Sequence, residues 1–143
     1  MTNSLEAFLY GTQFRRLMEK ELEPVERRYG LQKIDMHILF FLAKSADHNT
    51  AKDIVQLNMF TKGHISQSLT RLQKKGYIQI MQDKEDRRCT HNYLSGDADE
   101  IIQELKKAYR NIQDIILNGV TEEEQAVLAS VAKKVGQNIK NAL

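Results

Sequence analysis

The spacing of apolar residues predicts a chain that is helical nearly throughout and interrupted once by a short pair of strands. Asn3 and Glu6 stand in capping-box relation, and Leu5, Phe8, Leu9, Leu17, Leu22 and Val25 follow at helical intervals. Pro24 is expected to bend that helix or restart it, and Gly30 to close it. Residues 34–43, IDMHILFFLA, are apolar enough for a short buried helix. Thr50 with Asp53 opens another over residues 51–57. Thr61 caps a fourth, which runs to Lys75 and stops at Gly76, with Lys74 and Lys75 where the helix dipole favours cations.

Beyond Gly76 the period changes from helical to alternating. Residues 77–82 and 90–94 suit strands, and Asp83 to Arg88 between them suits a turn. Two strands alone are marginal in water, so this hairpin has to lean on helices. Ser95 then caps a long helix over about residues 96–118, and Thr121 with Glu124 caps a last one through about Ala142. Ile101, Leu105, Ala108, Ile112 and Ile115 form a heptad seam, and Ile102, Tyr109 and Ile116 a second stripe beside it. A helix apolar over that much of its circumference wants two partners.

Composition narrows the class. At 143 residues the chain fits one domain. One proline and seven glycines leave little room for a linker or a low-complexity segment. No apolar run approaches the ~18 residues of a membrane span, and MTNSLEAFLYGTQFRR lacks a signal-peptide pattern. The single Cys89 cannot pair internally, so a cytoplasmic protein is expected. Charge is unevenly placed. Residues 1–43 hold six basic and six acidic side chains, residues 44–93 nine and five, and residues 94–143 six and eight. The basic middle suggests a face for an anionic partner.

A short helix, a tight turn of three to four residues, a second helix and a hairpin make a winged helix-turn-helix, in which the second helix enters the DNA major groove. In TKGHISQSLTRLQKKG, Ile65, Leu69 and Leu72 point to the core. Thr61, Lys62, Gly63, His64, Ser66, Gln67 and Thr70 are left for DNA, together with Arg71 and Lys74. Gln67 can pair bidentately with adenine, whereas Lys62, Arg71 and Lys74 suit phosphates. At the wing tip Arg87 and Arg88 suit the adjacent minor groove, whose negative potential attracts arginine.

HISQSLTRLQKKGYI followed by DKEDRRCTHNYLS resembles the MarR-type transcriptional regulators, and the number and order of helices extend the resemblance over nearly the whole chain. The family's wing pattern falls on Asp86, Arg88, Leu94 and Ser95. Two departures stand out: Asn58 or Met59 replaces the usual glycine of the bend, and His64 a small hydroxyl residue. The resemblance implies a mainly α fold with a small β-hairpin wing: a winged helix-turn-helix lobe over residues 34–95, flanked by dimerisation helices at 1–30 and 96–143. It implies that Asp86 holds Arg88 through a charge-assisted bond. It further implies a homodimer built on Leu5, Phe8, Leu9, Ile112, Ile115, Ile116, Leu128, Val131, Val135 and Ile139, acting as a repressor on a pseudo-palindromic operator in double-stranded DNA. Family members often respond to a small-molecule effector, and Tyr10, Phe14, Met36, His37 and Phe40 are the candidate lining here; plain core is the competing reading of that stripe.

Cys89, beside two arginines, is a candidate redox thiol, against the simpler reading of a small strand residue. His37, His48, His64 and His91 show no ligand spacing, so neither metal nor other cofactor is expected. A catalytic Cys89–His91 pair lacks an orienting third group, and no phosphate-binding loop, zinc-protease motif or nucleophile elbow is present, so enzymatic activity is not expected. The alternative function is a winged-helix protein-interaction module without DNA binding.

Overall fold

The computed structural model describes residues 11–57 and 59–143. The expected helix opening at Asn3, together with Leu5, Phe8, Leu9 and Tyr10, lies outside them, as does Asn58. Helix α1 spans Gln13–Tyr29 and continues through Pro24, so the proline does not restart it. Gly30 ends it at φ 62°, a left-handed conformation that costs a residue bearing a Cβ about 1–2 kcal/mol. The Lys75 ammonium donates to the Gly30 carbonyl and so takes up one of the orphan acceptors at this helix end.

Helix α2, Lys33–Lys44, is opened by a capping box that the sequence reading did not identify: the Asp35 carboxylate accepts from the Gln32 backbone N–H at 2.9 Å. Met36, Ile38, Leu39 and Leu42 are buried, as the dense apolar run predicts. Helix α3, Ala51–Val55, starts at the expected Thr50–Asp53 box, with both reciprocal bonds at 3.1 Å. It ends two residues early, at Val55, and the next helix begins only at Lys62, further on than a three-to-four-residue turn would bring it. Helix α4, Lys62–Lys74, is capped by Thr61, whose hydroxyl accepts from the His64 N–H at 3.2 Å. Its buried side is Ile65, Leu69 and Leu72, as the spacing predicts, with Ser68 added.

Strands β1, Ile78–Gln82, and β2, Thr90–Leu94, pair antiparallel with Ile78 opposite Leu94 and Gln82 opposite Thr90. The pair leans on the chain segment ahead of α3. The Asn92 backbone N–H and side-chain amide both donate to the Asn49 carbonyl, at 3.0 and 2.8 Å, and Thr50 bridges to His91. Ser95 is not the expected side-chain cap. Its hydroxyl donates to the Gly76 carbonyl, and a 3-10 turn, Gly96–Ala98, intervenes before helix α5, Asp99–Ile116. The hydroxyl is better placed to close the base of the wing than to reach the helix's free amides.

The chain divides between Tyr109 and Arg110 into two compact units. In the first, the core gathers side chains from α1 to α5, among them Leu39, Leu72 and Leu105, each fully buried and contributing about 1.5–3 kcal/mol by leaving water. In the second, helix α6, Glu122–Ala142, begins at the predicted box: the Thr121 N–H donates to Glu124 at 3.0 Å and the Glu124 N–H to Thr121 at 3.1 Å. No residue of α6 is buried. Among the described residues, no helix is long and apolar enough to cross a membrane.

Candidate nucleic-acid interface

Helix α4 presents a continuous polar surface. Thr61, Lys62, Gly63, His64, Ser66, Gln67, Thr70 and Lys74 are all exposed, because the three apolar residues at i, i+4 and i+7 turn the opposite side inward. Thr70 spends its hydroxyl on the Ser66 carbonyl, 3.0 Å away. Arg71 departs from the expected phosphate role. Its Nε and Nη2 donate to Asp35 at 3.1 and 2.6 Å, and Ser68 adds its hydroxyl at 2.5 Å. Asp35 is fully buried. Burial pushes its carboxyl up, but the Arg71 guanidinium, the Ser68 hydroxyl and the Gln32 amide outweigh that and hold it below the ordinary carboxylate range. The group therefore stays ionised and locks α4 onto α2. Asp35 was missed in the sequence because a lone acid in an apolar run carries no pattern. Its one signal was the Gln32–Asp35 capping spacing.

The wing is ordered from within by carboxylates that accept main-chain amides. Asp83 Oδ1 takes the N–H groups of Glu85 and Asp86, at 2.8 and 3.2 Å. Asp86 accepts the Arg88 backbone N–H at 3.0 Å, and Gln82 donates to the Arg87 carbonyl at 2.9 Å. The expected side-chain bond from Asp86 to Arg88 is thus replaced by a backbone one. The carboxylate sets the turn and leaves the guanidinium free. Arg87 and Arg88 are both exposed, and among the described residues neither has a carboxylate within ion-pair distance.

The expected pocket residues separate. Met36 is fully buried and belongs to the core, and Phe14 is exposed. His37 and Phe40 do line a cavity of about 340 Å³ with Met59, Phe60 and Lys44. Burial lowers the His37 pKa, and its ring centroid lies 5.4 Å from that of Phe60. The Lys44 ammonium lies 4.7 Å over the Phe40 ring.

Of the expected dimer residues, Ile112 is corrected: it is only 3% exposed within the single chain. The heptad spacing marks an apolar seam but does not say whether the chain itself fills it. Ile115 and Ile116 are exposed, and so are Leu128, Val131, Val135 and Ile139 on α6. The histidines also depart from expectation. His91 meets Asp83 and Cys89, and each of the three offers a ligand atom within 4.8 Å of the others.

Residues 31–96 match the family described as a winged helix DNA-binding domain. An uncharacterized HTH-type transcriptional regulator of Bacillus subtilis, YwaE, is 26% identical over 136 residues, covering 95% of this chain and 78% of that protein. Among solved structures, a MarR protein from Peptoclostridium difficile superposes with a TM-score of 0.77 at 20% identity, over 92% of this chain and 85% of that one. Streptococcus pneumoniae FabT in complex with DNA gives 0.73 at 23% identity over the whole of both chains.

Proposed function

We propose that this chain, a winged helix-turn-helix protein similar in fold to the MarR-type regulators, regulates transcription by binding double-stranded DNA as a homodimer, as a repressor that occupies its operator. The observation that carries the reading is the pairing of the exposed polar side of α4 with two unpaired arginines on an internally ordered wing. In this reading Gln67, Ser66 and His64 meet base edges, Lys62 and Lys74 meet phosphates, and Arg87 and Arg88 meet the minor groove beside them. That FabT is described in complex with DNA supports the same mode.

The dimer reading rests on α6, whose apolar stripe Leu128, Val131, Val135 and Ile139 stands open along its length. An amphipathic helix with no buried residue has lost the main source of its stability unless a second chain covers it. A two-fold dimer sets its recognition helices about one DNA turn apart, on a pseudo-palindromic operator. Such a protein works in the cytoplasm, with the chromosome. The cavity at His37, Phe40 and Lys44, apolar with one cation at its rim, suits a small aromatic anion as effector.

Mobility shift on the chain's own upstream DNA, across roughly 50 to 200 mM salt, tests the function. Tight binding to one fragment, falling steeply with salt, is expected. Absence of binding at low salt would move the reading to a protein-interaction module.

A further inference from the structure

We infer that the turn end of the wing is a site for a divalent transition metal of the zinc class, held by Asp83, Cys89 and His91. Asp83 follows β1, Cys89 precedes β2 and His91 lies on β2. The Asp83 N–H donates to the Cys89 carbonyl at 2.9 Å, which fixes the two ends of the turn beside each other. Cys89 and His91 are two residues apart and so point to one face of the strand. Their Sγ and ring nitrogen and the Asp83 carboxylate then lie within 4.8 Å of one another. All three side chains are half-buried, open enough for an ion to enter.

The surroundings of His91 single this cluster out. Its Nδ1 lies 2.6 Å from Asn49 Oδ1, and its Nε2 2.7 Å from Asp83 Oδ2. The two contacts orient the ring, one nitrogen toward the carboxylate and the other toward the Asn49 side-chain amide. Asn49 thus stands where the outer hydrogen-bond partner of a metal-bound histidine stands, fixing the ring orientation.

Thiolate, imidazole and carboxylate together suit zinc rather than magnesium or calcium. Bonds of about 2.0–2.3 Å put tetrahedral ligands about 3.3–3.8 Å apart, so the sulfur draws inward and the nitrogen and oxygen part slightly. A water completes the shell. Binding releases the thiol proton and leaves a neutral site of one dication, one thiolate and one carboxylate. The ion would clamp the strand ends that carry Arg87 and Arg88, and through Asn49 the segment leading into α3. Metal supply would then tune DNA affinity. That consequence rests on the function proposed above; the metal site does not.

Cobalt titration of the reduced full-length protein tests the site. One cobalt per chain is expected, with a thiolate-to-cobalt absorption band that zinc abolishes. Cys89→Ser should lose the band. His91→Gln and Asp83→Asn should each weaken cobalt binding at least tenfold, with far-ultraviolet circular dichroism unchanged. The inference is overturned if no band forms. It is equally overturned if the band survives His91→Gln and Asp83→Asn at undiminished affinity, which is a thiol binding metal by itself. Mobility shift with zinc against a chelator, run separately, reads the coupling to DNA. Metal binding without a change in DNA affinity would refute the coupling and leave the site standing.

Discussion

Arg71 offers a sharp test, because the structure gives it a role that competes with its obvious one. In Arg71→Ala, Asp35 keeps the Gln32 amide and the Ser68 hydroxyl but loses both guanidinium bonds. Removing one member of a buried ion pair costs about 3–5 kcal/mol. Arg71 is 29% exposed, so water screens part of the interaction and about 2–3 kcal/mol is expected. With a urea slope of about 1–3 kcal/mol per molar, the unfolding midpoint should fall by about 1–2 M at fixed protein concentration. The pH dependence has a definite sign. The Asp35 pKa is lowered in the folded wild type, so its contribution is present above the unfolded value of about 3.9 and is lost as pH falls through the folded value. In the variant the carboxyl is buried with weaker partners and prefers its proton. The difference between the two proteins should therefore be full near neutrality and shrink as pH falls, from the variant's raised value down through the wild type's lowered one. Asp35→Asn combined with Arg71→Met should recover part of the loss, as removing both charges does for buried pairs. A midpoint shift equal at pH 7 and pH 3.5, or one too small to resolve, would refute the clamp. DNA binding supplies an independent check. The salt slope of Arg71→Ala should match wild type, whereas Lys74→Ala should lower it by about one.

Three further outcomes follow from particular side chains. Arg88→Ala should weaken operator binding about tenfold and reduce the salt slope by about one in mobility-shift titrations, with the dimer intact by sedimentation; unchanged affinity would remove that arginine from the contact. Val131→Glu, exposed in the single chain, should yield a folded monomer, whereas Ile112→Glu should lose cooperative unfolding outright because it buries a charge; circular dichroism and sedimentation together separate the two. Gly76→Ala should cost about 1–2 kcal/mol, since φ is 82° there, and the nearest outside atom, 3.8 Å from where a Cβ would sit, leaves room, so strain and not a clash sets the loss.

Much of the fold was legible in the residues because the signals that set it are local. Capping pairs at Thr50–Asp53 and Thr121–Glu124 form between neighbours in the chain, and their geometry depends on nothing distant. The polar side of α4 followed from Ile65, Leu69 and Leu72, since helical periodicity alone decides which residues are left facing out. The change of period after Gly76 marked the wing, and the Thr90–Leu94 strand lies where it was expected.

Tertiary structure decided whatever depended on residues far apart in sequence. Whether Arg71 serves DNA or the fold turned on Asp35, thirty-six positions earlier, and a guanidinium suits either partner equally well. Ile112 and Ile115 read alike in a heptad, yet one is buried and the other exposed, because periodicity names an apolar seam without naming what fills it. Asp83, Cys89 and His91 had no recognisable ligand spacing. They meet only because the hairpin brings strand ends together and Asn49, forty-two residues away, turns the imidazole toward them.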